Sequence, residues 1–212
     1  MSEYPVAARA RGHRHTERLS YDAAVVHEIL DSALICHVGL DSDGPLVLPM
    51  IHARVGEQMY LHVSTGSGTA FAAPTPVCIT ATIVDGLVLA KSQFHHSMNY
   101  RSVVVRGVAE PVGDPAEREM ALAAIVDHVV PGRSRSSRAG NARELAATRV
   151  LRVDLEEVSA KVRTGPATDE PEDAGLPYWA GVIPIALRAG TPEPDPTTDP
   201  GLPPPDLSRL GS

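Results

Sequence analysis

Val77–Gly113 reads VCITATIVDGLVLAKSQFHHSMNYRSVVVRGVAEPVG. Both halves are rich in β-branched residues, which suit a pleated, half-buried strand. Asp85 and Gly86 mark a bend that divides one long ribbon, and Pro111 with Gly113 closes the second half. Between the halves, Phe94-His95-His96-Ser97-Met98-Asn99-Tyr100-Arg101 crowds polar and bulky groups directly before Val103–Val105, the pattern of a site at a strand entrance.

Working outward, ALICHVGL, the turn DSDG at 41–44 and PLVLPMIHARV form a hairpin, because Gly44 can take the positive φ that such turns demand. Gly56 and Glu57 turn the chain again before QMYLHVS, giving three strands in meander order. Ser20 before YDAAVVHEILDSA predicts a capped helix, and TGSGTAFAA at 65–73 a loop leading into a short helix. Downstream, Pro115 opens a helix with Met120, Ala124 and Val129 on its apolar side, and NARELAATRV predicts another. VLRVDLEEVSAKVRTG at 150–165 reads as one strand, and WAGVIPIALRA as the last. About six strands with antiparallel turn chemistry predict a mainly β fold, a β-barrel with peripheral helices. The expected organisation is an N-terminal arm over 1–19, a barrel domain over 20–190 and a disordered Pro-rich tail over 191–212.

The 212 residues fit one domain with tails, and a net charge of -7 argues against nucleic-acid or anionic-membrane partners. Arg9, Arg11, Arg14 and Arg18 have no apolar run behind them, so the opening is neither a signal peptide nor an anchor; it is a solvated tail or an arm touching a partner subunit. Cys36 and Cys78 lie in apolar runs without metal-type spacing, which predicts buried thiols, no metal site and a reducing, cytoplasmic setting.

The run 94–105, together with VCITATIVDGLVLAKSQ, SAKVRTGP and LPYWAGVIP, resembles the pyridoxamine 5'-phosphate oxidase-related, FMN-binding proteins of the nitroimidazole-resistance-like branch, over roughly 15–190. The resemblance implies a six-stranded antiparallel split barrel that forms a homodimer and holds two FMN molecules between subunits. It places the flavin ring along Leu48, Pro49, Met50 and Ile51, and the phosphate near His62, Ser64, Thr65, Ser67 and Thr69. Gly68 and Thr69 stand where related proteins carry basic residues, so Lys91 and Arg101 are the candidates to supply the charge, or else are surface and rim residues. Ser92, His95, His96, Asn99 and Arg101 either line the cleft or cap the barrel, and His95 is the candidate proton donor. Trp179 either borders the partner's flavin or anchors the last strand.

The implied function is an FMN-dependent oxidoreductase that reduces a small, planar, electron-poor acceptor, nitro- or quinone-like, with NAD(P)H as external donor. The alternative is a non-catalytic flavin- or haem-binding storage or sensor protein on the same barrel, with His62, His95 or His96 as axial ligand.

Overall fold

The computed structural model describes residues 2–11, 15–66 and 71–207. Its strands are β1 (Leu19–Ser20), β2 (Cys36–Asp41), β3 (Pro45–Met50), β4 (His52–Val55), β5 (Gln58–Ser64), β6 (Thr75–Leu89), β7 (Ser97–Pro111), β8 (Thr148–Asp154), β9 (Glu157–Arg163) and β10 (Gly181–Pro184). The helices are α1 (Ala23–Ser32), α2 (Pro115–Val129) and α3 (Ala142–Ala146).

Six long runs build an antiparallel split barrel in the order β3-β2-β6-β7-β8-β5-β4. The two ends of that path, β3 and β4, are consecutive in the chain and separated only by Ile51, so one run serves both sheets. A second run breaks in the same way. The strand expected over 150–165 is two, β8 on β5 and β9 on β7, with a corner at Leu155 and Glu156. The corner contains neither Gly nor Pro; it is fixed because Leu155 is buried and its N–H donates to Glu57 O at 2.9 Å. β7 joins the sheets, meeting β9 through Tyr100–Arg106 and β8 at Glu110 and Pro111.

The β2–β3 turn has Asp43 at φ 57° and Gly44 at φ 115°, as the turn chemistry requires. β6 and β7 pair along their whole length, with a bulge at Asp85 between the Val84↔Tyr100 and Gly86↔Asn99 pairs. The core fills the barrel with Val38, Met59, Leu61, Ile79, Val105 and Leu151 among others, and α1 contributes Val26, Ile29 and Leu30. The N-cap of α1 is Asp22, whose carboxylate accepts from Ala24 N–H at 2.9 Å; Ser20 instead accepts from Asp22 N–H at 3.2 Å. α2 packs Ala121 and Ile125 on Ala53, Tyr60 and Val150, so its buried stripe runs one residue on from Met120, which is exposed. Cys36 is buried, and burial pushes its thiol up to about 12, whereas Cys78 is exposed on the outer face of β6.

No short helix follows Gly66 in the described residues. The N-terminal arm is tied down at Tyr4, which is buried and whose hydroxyl donates to Glu57 at 2.5 Å. Residues 185–207 carry no regular helix or strand and are exposed but for a half-buried Leu207. Among the described residues no helix is long and apolar enough to cross a membrane.

His52 at the start of β4 is fully buried, and its Nε2–H donates to Leu30 O at 2.8 Å. Because that carbonyl can only accept, Nδ1 is bare and has no partner among the described residues. Burial, reinforced by His128 at a ring-centroid distance of 4.6 Å, pushes this imidazole down to about 4. Between about 6.5 and 4 the unfolded chain takes up a proton that the folded chain refuses, so stability present above 6.5 is lost as pH falls, by about 3 kcal/mol. His52→Gln, which keeps a donor for Leu30 O, should flatten the pH dependence of the urea midpoint across that window; an unchanged slope would assign the loss to other groups.

Candidate functional site

Two groups of the expected site residues lie at separate places on one chain. The first is the corner where β3 passes into β4. Among the described residues β3 pairs only with β2, so alternate backbone N–H and C=O groups along its other edge are left without a strand partner there. Leu48 and Met50 lean on the core, whereas Pro49 is exposed and contributes no N–H. The His52↔Leu61 pair brings His62 beside Ile51. His62, Ser64 and Thr65 are all exposed, and Ser64 Oγ accepts from Gly66 N–H at 3.1 Å. Thr65 N–H donates to Ala147 O at 2.9 Å, which ties the turn to the start of β8. Ser67 and Thr69 lie outside the described residues. An open strand edge beside exposed hydroxyls offers the donors and acceptors that the polar rim and phosphate of a flavin need, so the residues fit that group.

The second group is the far end of the β6–β7 ribbon. Asp169 Oδ1 accepts from the N–H groups of Lys91 at 2.9 Å and Ser92 at 3.4 Å, and Lys91 Nζ donates to Ala174 O. Ser92 accepts from Phe94 N–H at 3.3 Å, capping a short 3-10 turn over Gln93–His95. His95 and His96 therefore leave a turn and not a strand. His95 Nε2 faces Glu170 at 3.6 Å, and His96 Nδ1–H donates to Ser92 O at 2.9 Å. Asn99 is buried, and its carbonyl oxygen accepts from Arg163, which also donates to Gly165 O at 3.2 Å and Pro166 O at 3.0 Å. These bonds seat the 165–176 segment against the ribbon.

Around this end the apolar side chains face outward. Ile183, Leu87 and Met98 form one exposed row across β10, β6 and β7. Phe94 is 85% exposed and Trp179 64%. The indole of Trp179 folds back over Gly181, where a Cβ would meet it at 2.8 Å.

Arg101 belongs to neither group. Its guanidinium binds Asp85 through Nε–Oδ2 at 3.0 Å and Nη2–Oδ1 at 2.9 Å, and Glu28 through Nη1 at 3.0 Å. The Asp85 bond raises its pKa above the usual value, so the charge is held by carboxylates. It borders an open cleft of about 770 Å³ with Ile35, Val129, Leu187 and Leu207. The β3 corner and the ribbon end are far apart: Met50 is level with Ala81 through Cys36, and Lys91 lies ten residues further on, roughly 33 Å of strand.

One residue near the first group escaped the sequence reading. Arg149 shares the inward side of β8 with Leu151 and Val153, and its Nη1 is buried with no partner among the described residues. The signal was available, since strict alternation in TRVLRVD puts an arginine on the apolar side.

The family model of pyridoxamine 5'-phosphate oxidase matches residues 22–162. The chain belongs to this family. Among solved structures it is similar to the flavocytochrome Anf3 from Azotobacter vinelandii, at 37% identity over 96% of each chain with a TM-score of 0.87. It is also similar to the FAD- and haem-binding protein from Mycobacterium smegmatis, at 35% identity over 89% of this chain and 94% of that one, TM-score 0.82. A protein assigned to 5-nitroimidazole antibiotic resistance, from Bacteroides thetaiotaomicron, matches at 25% identity over 72% of this chain and 96% of that one, TM-score 0.56. Among curated proteins none matches. The mainly β split barrel and the family resemblance are thereby shown, and these relatives bring FAD and haem into view beside FMN.

Arg101→Ala should lower the urea unfolding free energy by about 1–2 kcal/mol, because it leaves the half-buried Asp85 without its bidentate partner. A midpoint equal to that of the parent would show that the network contributes nothing to folding.

Proposed function

We propose that this protein is a redox protein that holds a flavin and a haem, with FAD as the flavin, on a homodimer whose second chain completes each flavin cleft. The observation that carries this reading is the likeness to two relatives, a flavocytochrome and an FAD- and haem-binding protein, over nearly the whole of each chain. Both matches extend well beyond the part covered by the family model and so take in sequence outside the barrel body.

The residues are suited to these groups. The open edge of β3 over Leu48–Ile51 can bond the polar rim of a flavin, and Ser64 with the turn behind it can bond its phosphate. His62 is an exposed imidazole with no hydrogen-bond partner among the described residues, whereas His95 faces Glu170 and His96 is tied to Ser92. A free imidazole is the type of ligand that haem iron takes, so His62 is the residue that would hold the haem. A flavin supplies hydride and single-electron chemistry and a haem single-electron chemistry, with NAD(P)H as a two-electron source and a small planar acceptor as the sink.

What the chain adds is exclusion of water and orientation. Phe94, Trp179 and the Ile183–Leu87–Met98 row form an apolar surface that a monomer would leave wet, and such surfaces mark contacts with a partner or a planar ligand. Because the β3 corner and the ribbon end stand apart in one chain, a shared cleft requires the ribbon end of one subunit to meet the β3 corner of the other. Trp179 and Asn99 would then serve the partner's flavin.

Protein purified without added cofactor should show both flavin absorption bands and a Soret band, and mass analysis of the released flavin should give FAD. His62→Ala should lose most of the Soret absorbance and keep the flavin bands. Apoprotein that takes up neither FAD nor haemin on reconstitution would overturn the reading; release of FMN alone would restore the simpler one-cofactor oxidoreductase.

A further inference from the structure

We propose that the arginine-rich connection between α2 and β8 is a docking surface for a second copy of this chain, and that its occupant is the acidic segment about Pro171–Asp173 at the ribbon end of that copy. This deepens the homodimer reading above and rests on it for the second chain. It adds which charges face each other, and so the register in which the two copies meet.

The basic surface is local. From His128 to Arg143 the chain carries Arg133, Arg135, Arg138 and Arg143 and no carboxylate. That is a charge of +4 in a chain of net charge -7, so the remainder carries -11. All four arginines are exposed. Arg138 is matched by Glu144 through two bonds, at 2.8 and 2.9 Å, whereas Arg133, Arg135 and Arg143 have no ion pair among the described residues. The backbone that presents them is tied down. The Asp127 carboxylate accepts from Ser134 N–H at 2.7 Å and from its hydroxyl at 2.8 Å, Ser137 Oγ donates to Arg133 O at 2.8 Å, and Asn141 with Glu144 closes a capping box. A surface fixed in this way has little backbone freedom left to lose on association.

Both ends of the connection stand at the corner where β3 passes into β4. At one end the His128 Nε2–H donates to Ala33 O at 2.8 Å, and Cys36, three residues on, pairs with Met50. At the other, Thr65 donates to Ala147 O through its N–H at 2.9 Å and to Ala146 O through its hydroxyl at 3.4 Å. The arginines therefore border the first group of site residues.

The complementary surface lies at the ribbon end. Residues 165–176 contain Asp169, Glu170, Glu172 and Asp173 and neither Lys nor Arg. Asp169 is engaged by the N–H groups of Lys91 and Ser92, which fixes the segment in place. Glu170 faces only His95, at 3.6 Å, while the carboxylates of Glu172 and Asp173 have no ion pair among the described residues. Within one chain the two surfaces stand apart. In a two-fold dimer that carries each ribbon end to the other copy's β3 corner, they meet twice, once on each side of the axis. Arrangements that set arginine loop against arginine loop, or acid against acid, are repelled. A nucleic acid is the poorer occupant, because a polyanion longer than the patch would run onto the acidic remainder of the chain.

The test reverses each surface in the full-length protein as purified. One chain carries R133E, R135E and R143E, a second carries E170R, E172R and D173R, and a third carries all six. Dimer dissociation is followed by sedimentation velocity, with circular dichroism to check folding and flavin counted alongside. Each triple variant should dissociate at about ten- to hundredfold higher concentration than the parent, since like charges now face each other. An equimolar mixture of the two should regain parent-like affinity as a particle with one chain of each kind, and the sixfold variant should regain it alone. The parent should weaken between about 0.01 M and about 1 M salt, over which the screening length falls from about 30 Å to about 3 Å. Triple variants that dimerise as the parent does would overturn the proposal and leave the homodimer standing, and so would triple variants that dissociate but do not reunite on mixing. A loop-reversed chain that dimerises normally yet loses an acidic protein held by the parent would also overturn it, by assigning the arginines to that protein. A parent that stays a single chain overturns both the proposal and the homodimer reading. Recovery on mixing in protein that holds no flavin keeps the contact and overturns the flavin reading alone.

Discussion

The pairing of β6 with β7, from Thr75↔Ala109 to Val88↔Ser97, is the constraint on which the rest of the molecule is assembled. β2 takes one edge of β6 through Cys36–Gly39, β10 takes the same edge beyond the bulge, and β9 and β8 divide the other edge of β7. The bulge at Asp85 is therefore more than an irregularity. It separates the part of the ribbon that walls the barrel from the part that carries β10 and the 165–176 segment, and it turns the Asp85 carboxylate toward Arg101. A break in this pairing would remove the neighbours of four other strands at once.

Arginines tie distant elements of the fold together. Arg101, Arg152 and Arg163 each hold elements distant in sequence, and their bonds are complete within the chain. Arg149 Nη1, by contrast, is buried with no partner among the described residues. The same logic sets His62 apart from His95 and His96. Identical chemistry at the three positions is distinguished only by which imidazoles the fold has already engaged.

Much of the fold was legible because its signals are local. The DSDG turn, the valine-dense ribbon and the Asp85-Gly86 bend each follow from the conformational preference of one or two residues. The corners were not legible. At Leu155 and at Ile51 the chain changes sheets without a turn residue, directed by burial of Leu155 and by which neighbour each half finds. The cap at Asp22 and the stripe of α2 through Ala121 and Ile125 were each displaced slightly from the expectation, since either choice satisfies the local pattern and tertiary contact selects one. Of the site, the sequence named the residues of both groups and the resemblance implied a cleft between subunits; the distance between the groups within one chain came from the fold. Ser67 and Thr69 fall outside the described residues, and the state of Arg101 and Arg149 depends on carboxylates brought near, or not, by folding.

The proposed function thus turns on a cleft that two chains would share. Sedimentation equilibrium of the cofactor-loaded protein, with flavin counted per chain across a dilution series, measures this directly. A particle of twice the 22.5 kDa chain mass that releases its flavin as it dissociates is the expected result. A single chain that retains a full complement of flavin at the lowest concentration would contradict it.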